Sequence, residues 1–266
     1  MVFKGSFLLI SALYGGIFTF VLTGLGTFGV FFLKKTNPKI FSFSLGMAGG
    51  IMMAASFWSL LNPAIEIAKE TYTLSFVPVV IGFILGIFLL RLLDLIVPHL
   101  HLASSPSEQE GPQIPLKKSI LIFLAITIHN IPEGLAIGVS FGSVGKNQEF
   151  LREAYNLTLG IGIQNIPEGL ALSLALKHAG LSRIKSFFYG FLSAIVEPIF
   201  ALTGVGTTLL SSLLLPYALS LAAGAMIFVT IEELLPEAQK FGNSDIASLG
   251  FGIGFLIMMV LDTFLG

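Results

Sequence analysis

Long apolar stretches recur along this chain and are parted by short polar segments. A helix crosses the hydrocarbon core of a membrane with about 20 apolar residues. Eight stretches reach that length, at about 7–33, 40–65, 76–97, 117–142, 154–177, 186–209, 214–236 and 245–265. The first is longer than a signal-peptide core and shows no small-residue cleavage site, so it reads as a span. The pattern predicts an all-α, polytopic membrane protein with a single transmembrane domain over residues 1–266 and no separate soluble domain. The longest polar interruption, 99–116 (HLHLASSPSEQEGPQIPL), holds Pro106, Pro112 and Pro115 and reads as a flexible loop.

Composition sharpens this picture. Hydrophobic residues make up 55% and charged residues 11% of the 266 positions, against roughly 25% charged in soluble domains. A water-soluble enzyme could not hide so much apolar surface. The net charge of -1 gives no basic field for nucleic acid, and the absence of cysteine removes thiolate chemistry and disulfides. The 29 glycines suit closely packed membrane helices, and runs such as Gly46–Gly50 allow close contact within a chain or between the copies of a homodimer. Lys34, Lys35, Lys39, Lys117, Lys118, Lys177, Arg183, Lys185 and Lys240 fall on one side of the spans, and only Lys4, Lys69, Lys146 and Arg152 on the other. The positive-inside rule then makes 99–116 a cytoplasmic loop and leaves both termini extracellular or periplasmic, in a plasma (inner) membrane.

The chain repeats itself. His129-Asn-Ile-Pro-Glu-Gly-Leu-Ala-Ile137 in span 4 matches Gln164-Asn-Ile-Pro-Glu-Gly-Leu-Ala-Leu172 in span 5. Phe20–Thr27 in span 1 matches Phe200–Thr207 in span 6, around Thr-Gly-x-Gly-Thr, and span 2 resembles span 7 more weakly near Ser44-Leu45 and Ser220-Leu221. Spans 1 and 6 must point in opposite directions, so spans 1–3 and 6–8 read as inverted repeats around spans 4 and 5. Inverted repeats are a transporter feature, with the substrate site near mid-membrane.

Polar residues stand at that depth. His129, Asn130 and Glu133 lie at the middle of span 4, Gln164, Asn165 and Glu168 at the middle of span 5, and Glu197 at the middle of span 6. Each acid costs roughly 2.5–3.5 kcal/mol at the bilayer centre, on the order of 8–10 kcal/mol for three without partners. No lysine or arginine shares their depth. A divalent cation would neutralise several at once, with protonation or a water-filled cavity as the other answers. His129 and Glu133 share one helix face at i, i+4, as Gln164 and Glu168 do. Imidazole with carboxylate suits zinc and other first-row divalent ions better than calcium. Pro132, Pro167 and Pro198 each adjoin a glutamate and remove a helix N–H, which would free the carbonyls of Ile128, Ile163 and Ala194. Such kinks serve packing as well as binding, and broken backbone at this depth is tolerated where it lines a cavity. Met52, central in span 2, is either core packing or a soft ligand.

These residues together resemble the ZIP (Zrt/Irt-like) divalent metal transporters, and among them the prokaryotic GufA-like branch. The likeness rests on His129-Asn-x-Pro-Glu-Gly, Gln164-Asn-x-Pro-Glu-Gly and Glu197-Pro, and extends over the whole chain. It implies eight helices in a 3+2+3 arrangement, inward metal flux and a two-metal centre. Met52, His129, Glu133, Gln164 and Glu168 would form the first metal site, and Asn130, Glu133, Asn165, Glu168 and Glu197 the second, with Glu133 and Glu168 bridging. Asn165 departs from related prokaryotic chains that carry aspartate there, which removes a charge from the second site. His99 and His101, with Asp94 and Glu232, would collect metal at a cytoplasmic exit, or are solvated loop residues. Glu66 and Asp262 would gather cations at an outer entrance or cap the interface. Glu233 and Glu237 read as solvated interface residues.

The expected function is transport of Zn2+, with Cd2+, Fe2+ or Mn2+ as further substrates, into the cytoplasm by alternating access. Spans 1–3 and 6–8 would move against spans 4 and 5. No P-loop or aspartyl-phosphate pattern is present, so the chain is not an ATP-driven pump, and it is not expected to be an enzyme. An intramembrane metalloprotease would want His-Glu-x-x-His, whereas span 4 has His129-Asn-x-Pro-Glu133. A proton-coupled organic-solute carrier would explain the glutamates but not their geometry with histidine.

Overall fold

The computed structural model describes residues 2–33, 37–102, 104–240 and 243–264, without the side chains of residues 2–4 and 106. Lys34, Lys35 and the side chain of Lys4, used above for orientation, lie outside them. Among the described residues, eight helices are long and apolar enough to cross a membrane: α1 (Gly5–Phe31), α2 (Pro38–Thr71), α3 (Phe76–Ile96), α4 (Lys118–Ser143), α5 (Phe150–His178), α6 (Arg183–Leu210), α7 (Ser212–Lys240) and α8 (Ser244–Phe264). The chain is therefore a multi-pass, all-α membrane protein. Its spans follow the apolar stretches, although α2 runs on well past residue 65. α3 and α8 are the least buried and present Phe88, Leu92, Leu256 and Val260 outward, as lipid-facing helices do. α2, α4 and α5 are among the most buried.

The short connections make successive spans alternate in direction. One end of the bundle carries segment 97–116 and is called the loop face here. The closest pairings are α2 with α8, α3 with α7, α4 with α6, and α1 with α5. α4 also packs on α5 and α7, and α2 on α5. Exchanging α1 with α6, α2 with α7, α3 with α8 and α4 with α5 turns each of these pairings into another of the set.

Glycines set how near the backbones come. Lipid tails offer helices no hydrophobic drive to associate, so contact depends on small residues that let helices touch. A Cβ on Gly50 would sit 2.0 Å from the Phe251 carbonyl oxygen, and one on Gly254 2.0 Å from that of Met47, which locks α2 to α8. Gly86 against Leu221 and Gly224 against Phe83 lock α3 to α7 in the same way. Gly26 meets the Ile166 carbonyl, Gly138 that of Ala201, and Gly16 the Cα of Pro198, which ties α1, α4, α5 and α6 into one block. Between this block and the two pairs, a Cβ on Gly160 of α5 would meet only the side chains of Met258 and Ile51, and between the pairs a Cβ on Gly49 would meet only those of Thr230, Phe251 and Leu234.

Two helices carry a π-helical turn, Ser56–Leu61 in α2 and Thr230–Leu234 in α7. Each is followed within two residues by proline, Pro63 or Pro236, which has no N–H and whose ring crowds the carbonyl four residues back. Slipping to an i→i+5 ladder relieves that crowding. Each turn opens on a hydroxyl that donates to a methionine carbonyl: Ser56 Oγ to Met52 at 2.7 Å, and Thr230 Oγ1 to Met226 at 2.8 Å. α6 is interrupted, with one helix over Arg183–Ser193 and a second over Val196–Leu210. Pro198 thus lies in the first turn of the second half, where its missing N–H costs nothing, and the Ala194 carbonyl accepts from Glu197 N–H at 3.0 Å. The expected free carbonyl at Ala194 is not found.

Candidate ion path

The repeated motifs place their polar groups in the centre of the block. His129, Asn130, Glu133, Gln164, Asn165, Glu168 and Glu197 are all buried, as is Met52 on α2. α4 and α5 continue through Pro132 and Pro167 without breaking. Glu197 lies in the first turn of its half-helix, where the helix dipole favours an acid.

The hydrogen bonds assign atoms. Gln164 Nε2 donates to Glu133 Oε1 at 2.9 Å, and Asn165 Nδ2 to Glu197 Oε1 at 3.0 Å. His129 Nδ1 lies 3.0 Å from Glu233 Oε2. A carboxylate oxygen can only accept from this ring nitrogen, so the proton belongs on Nδ1 and the lone pair on Nε2. The buried atoms left without a partner are then Glu133 Oε2, Gln164 Oε1, Asn165 Oδ1, Glu168 Oε1, Glu197 Oε2 and His129 Nε2, together with Asn130 Nδ2. Except for the last, all present lone pairs. Each acid except Glu168 is drawn to a donor of its own. The mid-membrane acids and His129 form no described group of three with ligand atoms within 4.8 Å of one another; two such groups stand at the loop face instead.

Glu233 and Glu237, expected to be solvated, are buried. The π turn of α7 directs Glu233 inward, where it joins His129 to the loop-face groups. Its Oε2 is 3.6 Å from His101 Nδ1, and Asp94, Glu232 and Glu233 make one of the two close groups. His99, His101 and Glu110 make the other, with His101 Nε2 3.1 Å from Glu110 Oε1. Histidines and acids therefore run without interruption from mid-membrane to the loop face. The i, i+4 spacing of Glu233 and Glu237 puts both acids on one helix face, but nothing in the sequence marks that face as buried.

The 97–116 segment is folded over this end. His99 and Glu110 pair as an antiparallel bridge, with N–H to carbonyl distances of 3.2 and 3.0 Å. Leu100 is fully buried, Leu102 N–H donates to Glu237 Oε1 at 2.6 Å, and Lys118 Nζ donates to the Ser104 carbonyl at 2.8 Å. Gly111 turns the chain at φ +70°, with no room for a Cβ against the Val97 carbonyl. Burial works against a charged His101, but the nearby carboxylate of Glu233, with those of Glu237 and Glu110, holds its pKa up at about 9. A folded-state value above the ordinary 6.5 means the folded chain holds the extra proton. Its stabilisation is full below about 6.5 and is lost as pH rises through about 9. Limited proteolysis should therefore leave this segment intact at neutral pH and cut it increasingly above pH 9; equal protection at both would contradict the contact.

At the opposite face, Ser59 Oγ donates to Asp262, 3.0 Å from each carboxylate oxygen, and Asn156 Nδ2 donates to the Leu261 carbonyl at 2.9 Å. Glu66 is exposed and lines a cavity there with Glu149, Arg152 and Glu153. Glu66 and Asp262 thus share this end of the bundle, away from the mid-membrane cluster.

A sequence model described as ZIP Zinc transporter matches residues 105–262, more than half of the chain. The human zinc transporter ZIP11 is 38% identical, covering 96% of this chain and 97% of its own length. The zinc transporter GufA of Myxococcus xanthus is 35% identical over 92% of this chain and 94% of its own. The zinc transporter ZIPB of Bordetella bronchiseptica is 38% identical over 96% of this chain and 81% of its own. With the paired Pro-Glu-Gly helices at its centre, the chain belongs to the ZIP family of zinc transporters.

Proposed function

We propose that this chain carries divalent metal, zinc first, into the cytoplasm through the cluster between α4 and α5. The observation that carries this reading is the set of buried lone pairs without partners on Glu133, Gln164, Asn165, Glu168, Glu197 and His129. Buried polar atoms are nearly always hydrogen-bonded, and leaving several acceptors bare is expensive. A divalent cation satisfies such a set together. His129 Nε2 with Glu133, Gln164, Glu168 and Met52 would form one metal site. Asn130, Asn165 and Glu197, with the two bridging acids, would form the second. Imidazole and carboxylate suit Zn2+, and Cd2+, Fe2+ and Mn2+ share enough of that chemistry to compete.

From this centre, Glu233, Asp94, Glu232, His101, His99 and Glu110 offer successive ligands toward the loop face, which serves as the exit. Glu66 and Asp262 mark the outer entrance. The exchange of helix pairings supports inverted halves, 1–3 and 6–8, around helices 4 and 5. The glycine locks favour a different moving part from the one expected above. α1, α4, α5 and α6 would travel as a block against α2–α8 and α3–α7, because only between these are backbones not interlocked. The membrane potential and ion gradient would drive the cycle.

Purified protein in zinc-free liposomes, diluted into external zinc with a fluorescent indicator inside, should load zinc saturably. Failure to load any divalent ion, alongside uptake of an organic solute with protons, would replace this reading by the carrier reading.

A further inference from the structure

We propose that the threonine face of α1 seats Glu197, and that Thr23 is a positioning residue for the ion site; this rests on the transport reading above. Thr19, Thr23 and Thr27 recur at i, i+4 on one buried face of α1. A threonine inside an apolar helix ordinarily donates to a carbonyl one turn back. Thr19 does so to Gly16 at 3.1 Å and Thr27 to Gly24 at 2.8 Å. Thr23 has that partner too, the Thr19 carbonyl at 3.2 Å, but its hydroxyl also reaches Glu197 Oε1 at 3.5 Å.

The approach depends on the backbone. Gly16 lies so close to Pro198 that a Cβ would come 2.6 Å from its Cα, and a Cβ on Gly169 would come 2.5 Å from the Thr23 carbonyl. α1 is thereby wedged between the Pro167 turn of α5 and the break in α6. Asn165 completes the seat: its Nδ2 donates to Glu197 Oε1 at 3.0 Å and lies 3.5 Å from the Thr19 carbonyl. Asn165 donates to Oε1 and the single Thr23 O–H is shared between that oxygen and the Thr19 carbonyl, while Glu197 Oε2 and Asn165 Oδ1 remain buried and unpartnered. The two donors fix which oxygen faces the ion.

The inverted packing explains why a hydroxyl stands at this position. Gly169 of α5 abuts the Thr23 carbonyl as Gly134 of α4 abuts that of Glu197. Thr19 donates to Gly16 as Ser193 donates to Gly190. Thr23 therefore occupies in α1 the place that Glu197 occupies in α6. One half contributes the acid, and the other contributes the group that holds it.

The test uses Thr23→Val, which keeps the shape and removes the donor, with Thr23→Ser as the rescue and Thr27→Val as the control one turn away. Zinc uptake by the full chain in liposomes is read as KM and maximal rate, and zinc-free protein by its melting temperature. Thr23→Val should raise KM about tenfold, the lower end for loss of a group that orients a ligand, with Thr23→Ser within about twofold of wild type. The melting temperature and maximal rate should hold, and Thr27→Val should match wild type. A merely structural threonine would lower the melting temperature and maximal rate and leave KM in place. An unchanged KM in Thr23→Val, or an equal rise in Thr23→Ser, overturns the proposal. Should Thr23→Val not fold, Thr23→Ala against Thr27→Ala makes the same comparison. Wild-type protein that takes up no zinc would bring down the transport reading and this one together; wild-type uptake with an unaltered Thr23→Val brings down this one alone.

Discussion

Liposomes bearing Glu168→Gln are expected to take up zinc at least about a hundredfold more slowly than wild type, since even groups that only orient ligands are worth 10–100-fold. Glu168 is buried on α5, one residue past Pro167, and its Oε1 has no partner. Glutamine preserves its shape and removes the acid. The same change should make the zinc-free protein more stable, by about 1–3 kcal/mol, because a buried acceptor with no donor is replaced by a group that can donate to the acids around it. Loss of activity with gain of stability separates a site residue from a packing residue. Thermal unfolding in zinc-free detergent, run beside the uptake assay, reads both. A variant that transports normally, or one that loses stability in step with activity, would remove Glu168 from the site.

Glu233→Ala should cut uptake by about 10–100-fold, as expected when the partner that orients a metal-binding histidine is lost. Glu233 Oε2 holds His129 by Nδ1 and so keeps the Nε2 lone pair free to face the cluster. It also bridges His129 to His101. Glu233→Gln can still offer a carbonyl oxygen to Nδ1–H and should fall between alanine and wild type. Zinc uptake by the three proteins across a range of zinc concentrations distinguishes the outcomes. If glutamine is as poor as alanine, the charge of Glu233 along the path outweighs its hold on the ring. If alanine transports like wild type, the contact is incidental.

Runs of apolar residues near the thickness of a bilayer made the spans legible before any coordinates, because length and hydropathy are local properties. The cluster was legible for a related reason: His129, Glu133, Gln164, Glu168 and Glu197 are costly at their depth, and cost is visible in one dimension. Glu233 was not legible, because the π turn ahead of Pro236 rotates it inward where a regular helix would carry it elsewhere. The Thr-Gly-x-Gly-Thr likeness between α1 and α6 also misleads about equivalence. Thr23 and Thr27 are buried on α1, and Thr23 alone of the two reaches Glu197, whereas Thr203 is exposed and Thr207 half-buried. Packing matches Thr23 to Glu197, since the inverted halves are related through their contacts with α4 and α5 and not through a short string of small residues. Segment 97–116 is rich in proline and polar residues, yet Leu100 and Leu102 anchor it against the bundle. A few apolar positions outweigh the composition of the rest.

The most direct test of the account is an anomalous-scattering map of zinc-soaked crystals, recorded on either side of the zinc absorption edge. A peak is expected between α4 and α5, about 2.0–2.2 Å from His129 Nε2 and from carboxylate oxygens of Glu133 and Glu168. A map with zinc only at His99, His101 and Glu110, and none among the mid-membrane acids, would contradict it.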